Sequence, residues 1–128
     1  MEKQFINTEH APAPIGPYNQ AVQAGNLLFV SGQIPVDPAT NACVSGGIDA
    51  ETHQVMRNLK AVLDAAGLGF RNVVKSTIFV TDLNHFATVN EVYGQYFDGE
   101  FPARETVQVA ALPKGVGVEI SVIAARPS

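Results

Sequence analysis

One segment, residues 49–67, constrains the fold of this chain more than any other. Its apolar residues recur at helical spacing and share one stripe: Val55, Met56, Leu59, Val62, Leu63 and Ala66. Asp49 is a good residue to cap the start of a helix, and Gly67 is a good residue to stop it. The pattern therefore predicts a helix that buries one face against the rest of the chain.

Strands and a second helix are predicted around this helix. Residues 11–18 contain three prolines and a glycine and predict an extended loop, and residues 35–47 are turn-rich and predict an exposed one. The Gly25-Asn26 dipeptide predicts a tight turn between two short strands. The remaining elements are predicted at residues 72–81 (strand), 86–97 (helix), 104–111 (strand) and 116–125 (strand). The order ββ, helix, strand, helix, ββ predicts one α+β domain over residues 1–128.

Composition and charge narrow the class of protein. Charged residues make up 16% of the 128 residues, against about 25% in an average domain, which suggests that other subunits cover part of the surface. The formal net charge of −4 argues against a general affinity for nucleic acid. Cys43 is the one cysteine, so no intrachain disulfide forms. With no apolar signal core at the amino terminus and no run long enough to span a membrane, we expect a cytoplasmic protein.

The last two predicted strands carry the candidate chemistry. The simplest hairpin register, through residues 112–115, places Ala111 opposite Val116. Side-chain alternation then assigns one face to the core, with Val107, Val109, Val118 and Ile120. The other face collects Arg104, Thr106, Gln108, Glu119 and Ser121. Because two helices cover only one side of a sheet, we expect this polar face to look to solvent or to another subunit.

The polar face has few charges for a solvated surface, which favours a pocket wall. The planar guanidinium of Arg104 matches a carboxylate bidentately. In a partly dry pocket, the pKa of the Glu119 carboxyl would rise into a range useful for proton transfer. The spacing alone favours a salt bridge between the two residues, or an open surface, over such a pocket.

A family resemblance bears on these alternatives. Residues 102–107 (PARETV), 112–116 (LPKGV) and 118–120 (VEI) resemble the signature of the RidA (YjgF) family of reactive-intermediate deaminases. Upstream, residues 13–18 (APIGPY), residues 29–35 (FVSGQIP) and Asn58-Leu59 resemble its other blocks. The resemblance covers essentially the whole chain, with the motifs in order.

The resemblance implies a fold, an assembly and a reaction. The fold is chorismate-mutase-like, a mixed sheet with two helices on one face, and three copies form a trimeric barrel with sites between subunits. The reaction is hydrolysis of 2-imino acids and their enamine tautomers to 2-keto acids and ammonia. Such imines arise from pyridoxal-phosphate-dependent dehydratases and can damage them. No cofactor or metal is needed, because an imine is already electrophilic.

The resemblance also implies roles for residues of this sequence. Arg104 would grip the substrate carboxylate, Glu119 would position or activate water, and Tyr18 would close the pocket and donate a hydrogen bond. The substrate-binding set would also include Ser31, Gly32, Thr106 and, in a supporting role, Asn90. Many members carry cysteine where this chain has Thr106, so a mechanism that needs a thiol there is untenable. Glu105 should point away from Arg104, and we expect no catalytic role for it.

Other functions stay open beside the deaminase. A non-catalytic protein could bind 2-keto acids or other small metabolites in the same cleft. Some members of the family are described as ribonucleases that inhibit translation, but the acidic chain lacks a basic, aromatic groove. His10, His53 and His85 lack metal-ligand spacing, so no metal site is expected.

Overall fold

A mixed sheet with two helices forms the body of the protein. The computed structural model describes residues 2–127. Within them the elements are β1 (Lys3–Ile6), β2 (Ala21–Ala24), β3 (Leu27–Gln33), β4 (Val36–Asp37), β5 (Ala42–Cys43), α1 (Ile48–Ala65), β6 (Val73–Val80), α2 (Phe86–Gly94), β7 (Ala103–Gln108) and β8 (Val118–Ala125). Six strands form one sheet in the order β1-β2-β3-β8-β6-β7, and β4 and β5 form a small hairpin. The predicted α+β class is confirmed.

The predicted apolar stripe of α1 is the centre of the core. Val55, Met56, Leu59 and Val62 are fully buried on this helix. The helix begins one residue before Asp49, which lies in its first turn, where a negative charge suits the helix dipole. At the other end Gly67 has a φ of 73°, a left-handed conformation that glycine adopts easily, and it ends the helix as predicted.

Both helices cover the same face of the sheet. Along β8 the side chains alternate strictly, and Val118, Ile120 and Val122 are buried towards the helices. The second helix adds Val89 and Tyr93 to the same core. No helix within residues 2–127 has the length and apolarity needed to cross a membrane.

The opposite face of the sheet carries a row of apolar side chains and has no cover within the described part of the chain. One row of cross-strand neighbours on this face runs Phe5, Val22, Phe29 and Ile123. Phe5 is 58% exposed and Phe29 is 43% exposed. Isolated exposed apolar side chains are ordinary, but a continuous row of them is typical of an interaction surface.

The predicted hairpin between the last two strands is wrong. β7 pairs in parallel with β6, and β8 lies on the other side of β6, antiparallel to it. The segment from β6 through α2 to β7 is a crossover, which parallel pairing requires. Residues 109–117 then pass the end of β6 to reach β8, through a short 3-10 turn at Pro113–Gly115.

This pairing changes which residues share a face. In the β6–β7 register Arg104 lies beside Ser76, and Thr106 lies beside Ile78. Because Ser76 and Ile78 are buried on the side of the helices, Arg104 and Thr106 face that side too. Gln108, two residues further on, has the same orientation. Glu119 pairs with Phe79 and faces the uncovered side. The prediction that Arg104 and Glu119 share a face is therefore wrong. Val107 is also exposed and not in the core, whereas Val118 and Ile120 are buried as predicted.

Three smaller predictions are corrected and one is confirmed. The strand β1 was not predicted, and residues 35–47 contain the β4–β5 hairpin, with Val36 buried. The helix predicted over residues 86–97 ends three residues early, at Gly94, because glycine has a low helix propensity. Glu105 does point away from Arg104, since it pairs with Thr77 on the uncovered face and contacts Lys75 at 3.3 Å.

Candidate functional site

Arg104 is held at the edge of the sheet by residues of α2. Its Nη1 donates a 2.7 Å hydrogen bond to Oδ1 of Asn90. The guanidinium carbon lies 5.2 Å from the centre of the Tyr93 ring and 5.7 Å from that of Phe86. Such distances give cation–π attraction, and Asn90 supplies a direct acceptor. The structure thus brings together two of the predicted site residues, Arg104 and Asn90.

An open cleft lies beside this arginine. It is lined by Asn90, Tyr93, Gly94, Phe101, Pro102 and Arg104. A guanidinium has five N–H donors, and Asn90 takes one of them. The remaining donors suit the two oxygens of a carboxylate, so this cleft can hold an acidic ligand.

Thr106 lies two residues along the same strand and on the same face as Arg104. Its Oγ1 is buried and has no hydrogen-bond partner among the described residues. A buried hydroxyl without a partner costs roughly 1–3 kcal/mol, so such a group commonly serves a ligand or an ordered water. Thr106 therefore has a free, buried hydroxyl two residues along β7 from Arg104, although Thr106 does not line the Arg104 cleft itself.

Glu119 belongs to a second cleft. This cleft is lined by Ile15, Tyr18, Ser31, Gly32, Ile34, Pro113 and Glu119. Ser31 and Gly32 lie where the β3–β8 register shifts, which opens the strand beside Glu119. Burial raises the pKa of the Glu119 carboxyl above its ordinary value, because the charged form loses solvation. The structure thus brings Tyr18, Ser31, Gly32 and Glu119 together.

Gly32 makes room for the Glu119 carboxyl. A Cβ added at Gly32 would lie 2.9 Å from Cδ of Glu119 and closer still to its Oε2. Side chains do not tolerate such contacts, so the absence of a Cβ allows the carboxyl to lie against the β3 backbone. Gly32 thus shapes the cleft because the Glu119 carboxyl occupies the space that a side chain at residue 32 would fill.

Ser31 has its hydroxyl proton engaged within the chain. The hydroxyl donates a 2.6 Å hydrogen bond to the carbonyl of Asn19, and its N–H donates to the carbonyl of Gln20 at 2.9 Å. Both bonds tie β3 to the segment that carries Tyr18. Ser31 therefore lines the cleft and positions Tyr18, and its oxygen can only accept a hydrogen bond from a ligand.

Gln20 is a residue of this region that the sequence analysis missed. Its side chain is 1% exposed, and its Nε2 donates to the carbonyls of Thr8, Ala11 and Pro12 at 3.0, 3.3 and 2.8 Å. These bonds hold the proline-rich loop that leads to Tyr18. A glutamine next to a proline-rich loop was the available signal, because buried backbone carbonyls outside regular structure need a donor.

The two clefts lie on different faces of the sheet of one chain. The Arg104 cleft lies on the helix side at the edge strand β7, whereas the Glu119 carboxyl faces the uncovered side. One cleft offers the cationic donors of Arg104, and the other offers a carboxyl with a raised pKa. Within residues 2–127, no group of three or more His, Cys, Asp and Glu side chains is arranged to hold a metal ion.

Comparison with known proteins places the chain in a family. Residues 8–126 match the Endoribonuclease L-PSP family model. The chain is 59% identical to the protein DfrA of Myxococcus xanthus, over 97% of this chain and 96% of the relative. It is 49% identical to the human 2-iminobutanoate/2-iminopropanoate deaminase, over 95% of this chain and 89% of that protein. The chain belongs to this family, which is also named YjgF/RidA/RutC.

A solved structure agrees with the sequence comparison. The crystal structure of E. coli TdcF with bound serine matches with a TM-score of 0.93 and 46% identity. The match covers 97% of this chain and 99% of TdcF. The α+β fold, with its mixed sheet and two helices, is therefore the fold of the family.

Proposed function

We propose that this protein hydrolyses 2-imino acids and their enamine tautomers to 2-keto acids and ammonia. The observation that carries this proposal is the pair of complementary clefts. Arg104 and Thr106 can bind a carboxylate, and Glu119 with Tyr18 can handle water and protons. A 2-imino acid needs both functions within a few ångströms, because its carboxylate is bonded to the carbon that water attacks.

A second copy of the chain would bring the two functions together. The uncovered sheet face is apolar along Phe5, Phe29 and Val107, and the chain has few charges for its size. Arg104 lies on the edge strand β7, so its cleft opens at the rim, where a neighbouring chain seated on this face would reach it. We propose a homotrimer in which the Arg104 cleft of one subunit meets the Glu119 cleft of the next.

The reaction follows from the polarity of the protonated imine. Arg104 holds the carboxylate, with the Thr106 hydroxyl as a further donor. Glu119 takes a proton from water while the oxygen adds to the imine carbon, which gives a carbinolamine. The proton then returns to the nitrogen, and the C–N bond breaks as the Glu119 carboxylate takes the carbinolamine hydroxyl proton, which forms the carbonyl of the 2-keto acid. Ammonia leaves and carries that proton away as ammonium, so Glu119 is again a carboxylate. Orientation and a partly dry site account for most of the rate gain.

Two properties of the acid–base group suit this cycle. The pKa of the Glu119 carboxyl is raised by burial, which brings its proton affinity closer to the working pH. Tyr18 is exposed at the mouth of the cleft, and its hydroxyl accepts only a long 3.4 Å hydrogen bond from the Ile15 N–H. The Tyr18 proton is therefore free for a substrate oxygen or nitrogen.

The test is the release of keto acid in a coupled reaction. Added to a serine or threonine dehydratase, the protein should speed the release of pyruvate or 2-ketobutyrate. Arg104→Ala should lower kcat/KM by about 10- to 10²-fold, because a charge-assisted hydrogen bond contributes about 1.5–3 kcal/mol. Arg71→Ala, a charge loss on the turn before β6 and outside the lining of the Arg104 cleft, is the matched control. Full activity of Arg104→Ala at limiting substrate would contradict the carboxylate role.

A binding protein without catalysis is the second candidate. The bound serine in TdcF, a close structural relative, favours it, since a small amino acid carries the same carboxylate. This candidate predicts saturable binding of 2-ketobutyrate by calorimetry with no acceleration of imine loss. The family model's description supports a third candidate, an endoribonuclease. RNA cleavage that copurifies with the protein and is lost in Glu119→Gln would favour it over the deaminase.

A further inference from the structure

We propose that Tyr93 and Ser76, a buried pair behind Arg104, are positioning residues that fix the direction of the guanidinium. The proposal rests on the proposed function, because it assigns to Arg104 the binding of a substrate carboxylate. Neither residue belongs to the site that the sequence predicted. Three observations support this role for the pair: its hydrogen bond, its contacts with the guanidinium and the protonation of Tyr93.

A hydrogen bond links Tyr93 of α2 to Ser76 of β6, the strand next to the one that carries Arg104. The Tyr93 hydroxyl and the Ser76 Oγ lie 2.8 Å apart. Ser76 is fully buried and Tyr93 is 3% exposed. In the β6–β7 register, Ser76 is the cross-strand partner of Arg104. The phenol is therefore fixed at the backbone position next to Arg104, although Tyr93 itself belongs to α2.

The Tyr93 ring, held by this hydrogen bond, is one of three side chains of α2 that contact the Arg104 guanidinium. Phe86, Asn90 and Tyr93 succeed one another at spacings of four and three residues, so they share one face of α2. The ring of Tyr93 is the nearer of the two aromatic supports, and Asn90 holds one Nη1 proton. A ring free to tilt would let the long arginine side chain swing, and binding would then have to order it.

Protonation keeps this support constant over the working pH range. Burial raises the pKa of the Tyr93 phenol, and the hydrogen bond to Ser76 and the charge of Arg104 offset this only in part. The phenol is therefore neutral, and its hydroxyl keeps its bond to Ser76. The groups facing it are Ser76 from β6 and Arg104 from β7. A positioning role of this kind alters substrate affinity and leaves the pH profile unchanged.

A structural role for a core tyrosine is the alternative, and the chain offers a matched control. Tyr96 lies three residues further on, and its hydroxyl is 2.8 Å from Nδ1 of His53. Its ring packs against Phe70, on the side of α1. Tyr93→Phe and Tyr96→Phe thus each remove one hydrogen-bonded hydroxyl, but only the first concerns Arg104.

The experiment compares kcat and KM for imine hydrolysis in five proteins: the wild type, Tyr93→Phe, Ser76→Ala, the double variant Tyr93→Phe/Ser76→Ala, and Tyr96→Phe. Tyr93→Phe and Ser76→Ala should each raise KM about fivefold, which is what ordering one long side chain costs, with kcat within about twofold. The KM of the double variant should not exceed the higher of the two single-variant KM values, because each substitution removes the same hydrogen bond. Tyr96→Phe should leave KM unchanged.

The outcomes separate this proposal from the proposed function. A wild type that does not accelerate keto acid release refutes the deaminase, and the same comparison is then made on the Kd for 2-ketobutyrate. An active wild type in which Tyr93→Phe and Tyr96→Phe have equal KM values overturns the positioning role alone. A shifted pH profile in Tyr93→Phe also overturns it. Should Ser76→Ala fail to fold, Tyr93→Phe against Tyr96→Phe decides the question.

Discussion

Gly32→Ala tests whether the position of the Glu119 carboxyl matters for activity. The backbone at Gly32 is outside the left-handed region, so alanine adopts its conformation without strain. The substitution therefore perturbs the structure only through the contacts of the added Cβ atom. It would lie 2.9 Å from Cδ and 3.1 Å from Cγ of Glu119, and closer to Oε2. The side chain of Glu119 must therefore move, while the fold need not.

The expected loss follows from the size of that movement. Ordinary contacts begin near 3.4 Å, so Cδ must retreat by about half an ångström and the oxygen by more. A misplacement of about 1 Å in a catalytic group costs about 10²-fold in rate, which is about 2.7 kcal/mol in the activation barrier. Because a flexible side chain can yield, we expect a stability loss of only about 1 kcal/mol, at the low end for overpacking.

The assay is keto acid release with the dehydratase-coupled system, together with thermal unfolding. Gly69→Ala is the matched control, since Gly69 is also extended and nothing lies within 4 Å of its added Cβ. We expect kcat to fall about 10²-fold in Gly32→Ala and to stay unchanged in Gly69→Ala. Glu119→Asp, made on top of Gly32→Ala, should restore stability by shortening the crowded side chain. Full activity in Gly32→Ala would refute the role of Glu119.

Three further predictions concern pH, the free hydroxyl and the assembly. Glu119→Gln should unfold at the same temperature as wild type below pH 4.5, the ordinary pKa. Because burial raises the folded-state pKa, wild type loses stability as pH rises through both values, so Glu119→Gln should be the more stable at pH 7. Lower stability of this variant at pH 7 would instead indicate a neighbouring cation. Thr106→Val should raise stability by about 1 kcal/mol and weaken keto acid binding about tenfold, and a lower melting temperature would contradict the unpartnered hydroxyl. Phe29→Asp places a charge in the exposed apolar row and should reduce the mass seen by light scattering from that of the proposed trimer to that of one chain; a trimer mass in this variant would exclude this face as the interface.

Local patterns predicted the elements that depend on near neighbours. The stripe of α1, its stop at Gly67 and the Gly25-Asn26 turn, with Gly25 at a φ of 59°, all appear in the structure. The alternation along β8 also correctly separated buried from half-buried residues. Each of these features is set by backbone preference or by side-chain period within a few residues. Such information is present in the sequence itself.

The missed elements depend on distant partners. β1 is short, and its pairing with β2 joins residues from 15 (Ile6 and Ala21) to 21 (Lys3 and Ala24) positions apart. The buried Gln20 amide bonds to backbone carbonyls eight to twelve residues before it, a relation that no periodicity reveals. The Tyr93–Ser76 hydrogen bond likewise joins a helix and a strand that meet only in the folded chain. Contacts of this kind are chosen by the packing of the whole core.

The sequence by itself identified the candidate site residues and how they alternate on each strand. Arg104 and Glu119 were found by their rarity on a polar face and by the family motifs around them. Only the tertiary structure decided that they belong to two clefts on opposite faces. The reason is that alternation gives each strand two faces but does not say which strand lies beside it. A crossover through α2 placed β7 parallel to β6 and put β8 on the other side, and this separated the two residues within one chain.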